Sequence, residues 1–155
     1  MNNDEFERVL REPLMHLRGV LIARYGTDIG RDGHGEVSEY AWMNRDRLGS
    51  MQNPAGFLYR VSQSRARRYR RWKRAADLPA EIASGQPEQA GDGRLAEALA
   101  RLSRDERTVA VVVHAYGYSY EQAADLLGIT PAAVRNRLHR AMAKLRRDLK
   151  EEDQL

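Results

Sequence analysis

With 155 residues, 42% of them apolar and 7% aromatic, the chain is long enough for one ordinary domain or two small helical ones and too apolar for wholesale disorder. The absence of cysteine excludes disulfide frameworks, thiol catalysis and cysteine-ligated zinc. No apolar run approaches the ~20 residues of a membrane span and Met1–Leu10 has no apolar signal core, so a soluble protein of the reducing cytoplasm, without membrane contact, is expected. The net charge of +4 is uneven: residues 1–76 carry 15 basic and 9 acidic side chains and residues 93–155 carry 11 and 9, while 77–92 hold Asp77, Glu81, Glu88 and Asp92 and no basic residue. A basic block suits a polyanionic partner, although a solvated helix face is the commoner origin of a charge run.

Three helices are legible before the acidic stretch. Phe6, Leu10, Leu14, Leu17 and Leu21 recur at helical spacing and predict a helix from about Asp4 to Tyr25, with Pro13 marking a kink near Val9 or a later start. A weaker pattern (Val37, Tyr40, Ala41, Leu48) predicts a second helix from about His34 to Arg47, with Gly30, Gly33 and Gly35 loosening its approach. Asn53 is a good N-cap and Pro54 a good first residue for a third, whose Phe57, Leu58, Val61, Tyr69 and Trp72 form an apolar side out to about Lys73. Two prolines and three glycines without periodicity then predict a linker at 77–93 between an N-terminal domain, 1–76, and a C-terminal one, 94–150.

Signals sharpen after the linker. Leu95, Ala98, Leu99 and Leu102 keep helical spacing, and Ser103-Arg104-Asp105-Glu106 is a capping box that opens a helix through Val109, Val112 and Val113, with Gly117 to end it. Ser119-Tyr120-Glu121-Gln122 is a second capping box, followed by a short helix with Ala123, Ala124 and Leu127. Gly128 suits a left-handed C-terminal cap, and Thr130-Pro131 starts a last helix whose inward stripe is Val134, Leu138, Ala141, Leu145 and Leu149. No strand pattern is present, and the class expected is all-α: two small helical domains joined by a flexible acidic linker, the C-terminal one a helix-turn-helix, winged-helix-like.

A helix-turn-helix needs small residues where its helices cross, a reversal, and a second helix that enters the major groove N-terminus first. Ala123, Ala124, Gly128 and Thr130-Pro131 meet those needs. With the stripe inward, Ala132, Arg135, Asn136, His139 and Arg140 face out at the N-terminal end. Arginine grips guanine O6 and N7, asparagine grips adenine N6 and N7, and Ala132 and Ala133 let the backbone come close. Thr130, Arg137 and Lys144 are placed for phosphates, which position without specifying. An ordinary helical hairpin with a charged face is the plain alternative. No second ligand stands near His139, and His16, His34 and His114 are scattered, so packing or surface roles suit them better than a metal.

Arg65 to Arg74 holds seven basic residues in ten, a density that repels itself on a helix and that a polyanion relieves. Tyr69 and Trp72 suit stacking on unpaired bases, or packing in a three-helix core.

The run Leu99-x-x-Leu102-Ser103-x-x-Glu106-Arg107, then Ser119 to Ala124, then Gly128 to Ala141 resembles the promoter-binding fourth region of bacterial sigma factors, above all in Val134-Arg135-x-Arg137-Leu138-x-Arg140-Ala141. Tyr25-Gly26, Asn53 to Val61 and the arginine run resemble region two. With both regions and a short linker, the chain resembles the small extracytoplasmic-function (ECF) class over about nine tenths of its length. The resemblance implies a non-enzymatic initiation factor that joins core RNA polymerase and directs it to promoters, region four holding the minus-35 element as duplex and region two binding polymerase and melting the minus-ten element. Carried over by position, base reading falls on Arg135, Asn136, His139 and Arg140. Melting or phosphate contacts fall on Asn53, Arg65, Arg67, Arg68, Arg71 and Trp72, and polymerase binding on Asp32, Glu36, Val37 and Glu39. An anti-sigma factor is the further partner implied.

The sequence departs from the family at Asp32-Gly33-His34-Gly35-Glu36, where an acidic-hydrophobic helix start is usual, and at Ser62-Gln63-Ser64. A sigma-derived regulator that binds DNA without initiating transcription, and a helical adaptor whose basic helix binds an acidic protein or RNA, are the alternatives. No phosphate loop, metal-ligand cluster or nucleophile-base pair is present, so neither an enzyme, a cofactor nor a small-molecule substrate is expected.

Overall fold

The computed structural model describes the backbone of residues 2–73 and 93–153, with the side chains of 2–67 and 93–150. The linker assigned to 77–93 lies outside the described residues except for Gly93. Among the described residues there are helices and no strand, so the helix-turn-helix carries no β wing there.

In the N-terminal half α1 spans Asn3–Tyr25, α2 Thr27–Met43, α3 Arg45–Gly49 and α4 Pro54–Lys73. The start of α1 is fixed by Asn2, whose side chain accepts the Glu5 N–H at 2.9 Å while the Glu5 carboxylate accepts the Asn2 N–H. Pro13 sits inside α1 without ending it. Gly26, at φ 92°, breaks the chain between α1 and α2.

The second helix departs from the sequence reading. It begins at Thr27, not His34, and runs through Gly30, Gly33 and Gly35. Gly30 is there for proximity: a Cβ on it would stand 2.7 Å from the Ile22 Cα and N, so α1 and α2 cross almost backbone to backbone. His34 strengthens the crossing by donating from Nε2 to the Leu14 carbonyl at 2.8 Å. Glycines that read as loosening agents are, at Gly30 at least, a contact surface.

In the C-terminal half α5 spans Gly93–Arg101 and α6 Arg104–Ala110, which continues through one π turn, Val111–Ala115, that Gly117 ends at φ 71°. Then come α7, Tyr120–Leu127, and α8, Pro131–Asp153. Both capping boxes form as expected. The two halves pack together: α1 rests on α6 and the π turn, and α4 rests on α7. On α1, Val20, Ile22 and Ala23 are buried as well as the predicted stripe.

Candidate nucleic-acid interface

The helix-turn-helix is built by local rules. The Ser119 hydroxyl accepts the Gln122 N–H at 3.0 Å and so fixes the start of α7. Gly128, at φ 70° and ψ 34°, ends it, and the N–H groups of Gly128 and Ile129 both donate to the Ala124 carbonyl. The Thr130 hydroxyl accepts the Ala133 N–H at 3.0 Å and caps α8. Ala123 and Ala124 are buried where α7 meets its neighbours, and Val134, Leu138, Ala141 and Leu145 are buried along α8.

That packing exposes Ala132, Arg135, Asn136, His139 and Arg140 in one row from the start of α8. The row is a set of donors and acceptors flanked by a bare methyl group, which is what a base edge in the major groove requires. Ala133 is half-buried, and the Thr130 side chain is engaged in its cap.

Two residues expected at phosphates point elsewhere. Arg137 is half-buried and lines a cavity of about 250 Å³ between the halves, with Arg24, Tyr59, Gln63, Asp105, Thr108, Leu127 and Ile129. Lys144 Nζ lies 2.8 Å from Glu106 Oε1 and is held within the domain. The sequence pattern identifies which residues face away from the α8 stripe, not what another half of the chain brings to them.

In the N-terminal half, Asn53 caps α4 by accepting the Gly56 N–H at 3.0 Å, and its Nδ2 donates to the Asp125 carbonyl of α7 at 2.8 Å. Arg65 pairs with Glu36 of α2 at 3.3 Å and lies over the Tyr40 ring, so candidates for two different partners neutralise each other. Arg67 is exposed. The side chains of Arg68, Arg71 and Trp72 lie outside the described residues. Asp32 and Glu39 are exposed. Val37 requires correction as a polymerase-binding residue: it is 0% exposed in the core between α2 and its neighbours and presents nothing to a partner. Among the described residues no group of three or more His, Cys, Asp or Glu stands ready for a metal, and no helix is long and apolar enough to cross a membrane.

The junction between the halves is the feature that sequence reasoning missed. Arg24 reaches Asp105 at 2.6 Å. The Arg107 guanidinium, 4% exposed, donates from Nε to the Ala23 carbonyl at 2.6 Å and from one Nη to the Leu102 carbonyl at 2.8 Å. Those carbonyls lie at the C-terminal ends of α1 and α5, where helix dipoles favour a cation. Burial lowers the Arg107 pKa, with the Arg104 and Arg24 charges adding to it. Burial pushes the Tyr59 hydroxyl up to about 12 against the pull of Arg24. His16 donates or accepts at Tyr118 Oη, 2.9 Å away, and stacks on Tyr116 at 4.4 Å.

A family model for Sigma-70, region 4 matches residues 92–145, the span of this C-terminal half. The ECF RNA polymerase sigma factor SigL of Mycobacterium tuberculosis is 32% identical over 122 residues, which cover 72% of this chain and 69% of that protein. The chain belongs to the ECF sigma factor family. A second relative, the probable RNA polymerase sigma factor RfaY of Xanthomonas campestris pv. campestris, is 33% identical over 127 residues covering 70% of this chain and 31% of that protein. The chain therefore spans about a third of the length of that longer relative and about two thirds of SigL. The sigma factor RpoE of Bartonella quintana, crystallised with the anti-sigma factor NepR, superposes with a TM-score of 0.69 at 25% identity over 94% of this chain and 97% of that one. Sigma factors are non-enzymatic, and the ECF architecture of two helical regions is the one described above.

Proposed function

We propose that this ECF sigma factor family member is a transcription initiation factor that joins core RNA polymerase in the cytoplasm and directs it to promoters. Its C-terminal half holds the minus-35 element as duplex, with Arg135, Asn136, His139 and Arg140 reading bases and Ala132, Ala133 and Thr130 at the close approach of α8 to the groove. Its N-terminal half serves the minus-ten element through Asn53 and the arginine-rich end of α4, and meets polymerase through the exposed carboxylates Asp32 and Glu39. An anti-sigma factor is a fitting further partner, since the RpoE to which the chain is similar was crystallised with one.

The observation that carries this reading is the exposed row on α8, held at a fixed angle by the Gly128 turn. Reconstituted transcription tests it. Core polymerase plus the protein is expected to yield promoter-specific transcripts that core alone does not. Absence of any complex with core, under conditions in which a known sigma factor binds, favours a regulator that binds DNA without initiating.

A further inference from the structure

Buried apolar side chains from both halves form one continuous core. The cavity that Arg137 lines is a polar interruption of it, and its lining is unbalanced. Arg24 and Arg137 bring two guanidinium groups against the single carboxylate of Asp105. Arg24 spends one Nη on Asp105 at 2.6 Å and its Nε on the Tyr25 hydroxyl at 3.3 Å. The Thr108 hydroxyl is already donated to the Arg104 carbonyl at 2.7 Å. Three further lining groups have no hydrogen-bond partner among the described residues: the Tyr59 hydroxyl, the Gln63 amide and the Arg137 guanidinium. Tyr59 is 2% exposed, and Gln63 and Arg137 are half-buried.

A buried polar group without a partner costs free energy, and native structures rarely leave one so. Here three of them, from α4 and α8, surround one space. Arg137 offers only N–H groups, and the Gln63 amide offers two more. Tyr59 offers its O–H, because burial pushes the hydroxyl up to about 12 and keeps the proton on at neutral pH. The unused capacity is therefore mostly donor, with positive charge in excess. That combination recognises an oxyanion, which guanidinium groups grip through two oxygens at once by strong charge-assisted bonds. Size restricts the choice. At about 250 Å³ the cavity is smaller than the ~300–1,000 Å³ of pockets for drug-sized ligands, so it suits one small anion. Donors reach that anion from three helices, α1, α4 and α8, which fits the tetrahedral oxygens of a phosphate better than the flat pair of a carboxylate.

We propose that this cavity binds a small phosphate-bearing anion, free phosphate or a small phosphate monoester, gripped by Arg137 and Arg24 with Tyr59 and Gln63 donating to its remaining oxygens. The sequence pattern places Arg137 at a phosphate of DNA; the geometry keeps that chemistry and moves it to a ligand inside the protein. Arg137 stands outside the exposed row on α8, so occupancy uses no residue of that row.

Thermal unfolding and isothermal titration of the full chain test the site. Inorganic phosphate and glycerol 3-phosphate are the probes, and sodium chloride at matched ionic strength is the reference. One site per chain is expected, with a saturable rise in Tm of about 3–6 °C at ten times the dissociation constant. The tighter probe tells whether the occupant is the free anion or a monoester. Arg137→Gln and Tyr59→Phe are each expected to weaken both probes at least about tenfold. In chloride alone Tyr59→Phe is expected to unfold at the wild-type temperature or above, because the hydroxyl it removes has no partner in the protein. Arg11→Gln, an equal loss of charge at a side chain 73% exposed on α1, is expected to keep wild-type affinity. Stabilisation that chloride reproduces, or that survives unchanged in both cavity variants, is ionic screening and overturns the site. Failure of both probes to bind the wild type overturns it too. In that case an Arg137→Gln chain that binds promoter duplex more weakly at unchanged specificity returns the residue to the DNA backbone.

Discussion

Lys144 Nζ lies 2.8 Å from Glu106 Oε1, the same oxygen that accepts the Ser103 N–H at 2.9 Å. One carboxylate thus closes the cap of α6 and ties the middle of α8 to it, 38 residues away in sequence. The carboxylate is 5% exposed and the lysine 43%, so the lysine is the only one of the two that water can replace readily.

Lys144→Met leaves that buried carboxylate without its cation and is expected to lose about 1–2 kcal/mol in urea unfolding, at the low end for a buried pair because the lysine is half in water. Glu106→Gln keeps a capping side chain and is expected to lose less. If Lys144→Met instead unfolds like the wild type and only flattens the salt dependence of duplex binding, Lys144 is a phosphate contact as the sequence pattern suggested.

Stability is expected to fall with acid in two stages. Burial lowers the His34 pKa, assisted by the Arg18 charge and opposed by the hydrogen bond to Leu14. The Arg24 hydrogen bond holds Asp105 below the usual range against its burial. Burial pushes Glu106 up, but the bonds from Lys144 and Ser103 outweigh it and the net shift is down. A group with a lowered folded pKa contributes fully above its unfolded value and loses that contribution as pH falls through the folded one. The His34 part therefore declines below about pH 6.5 and the carboxylate part below about pH 4–5. Urea midpoints from pH 8 to pH 3 check this; a His34→Gln variant is expected to lose the first stage and keep the second.

Two glycines of one helix should respond oppositely to the same substitution. Gly35→Ala meets nothing within 4 Å and is expected to stabilise by roughly 0.5–1 kcal/mol through helix propensity. Gly30→Ala puts its methyl group 2.7 Å from the Ile22 backbone and is expected to destabilise by about 2 kcal/mol or more, since α1 and α2 must move apart. Thermal unfolding of the pair separates the two effects; equal shifts would contradict the close crossing.

Base reading by α8 is tested on promoter duplex. Arg135→Ala and Arg140→Ala are each expected to cost about 1–3 kcal/mol of binding and to relax preference at one position. Arg137→Ala is expected to leave specificity unchanged, because its side chain faces the cavity and not the groove. Competition binding against substituted duplexes distinguishes these; wild-type affinity in both Arg135→Ala and Arg140→Ala would displace the reading face.

How much was legible follows from the range of the forces involved. The caps at Asn53, Ser103, Ser119 and Thr130 are hydrogen bonds within four residues, so the sequence carries them directly, and all four form. The inward stripe of α8 follows from helical spacing, and Val134, Leu138, Ala141 and Leu145 are buried as the spacing requires. The start of α2 was not legible. Gly30 has the same local signature whether it breaks a helix or lies against another, and only the position of Ile22 distinguishes the two.

The sequence by itself determined the all-α class, the helix-turn-helix and the exposed row from Ala132 to Arg140, because capping and periodicity act along one segment of chain. Tertiary structure alone decided that Val20, Ile22 and Ala23 are buried beyond the α1 stripe, that Val37 is core, and that Arg137 and Lys144 turn inward to the cavity and to Glu106. Each of those outcomes depends on a surface brought by another helix. A helix face that is polar or half-apolar in sequence does not reveal whether water or another helix will cover it.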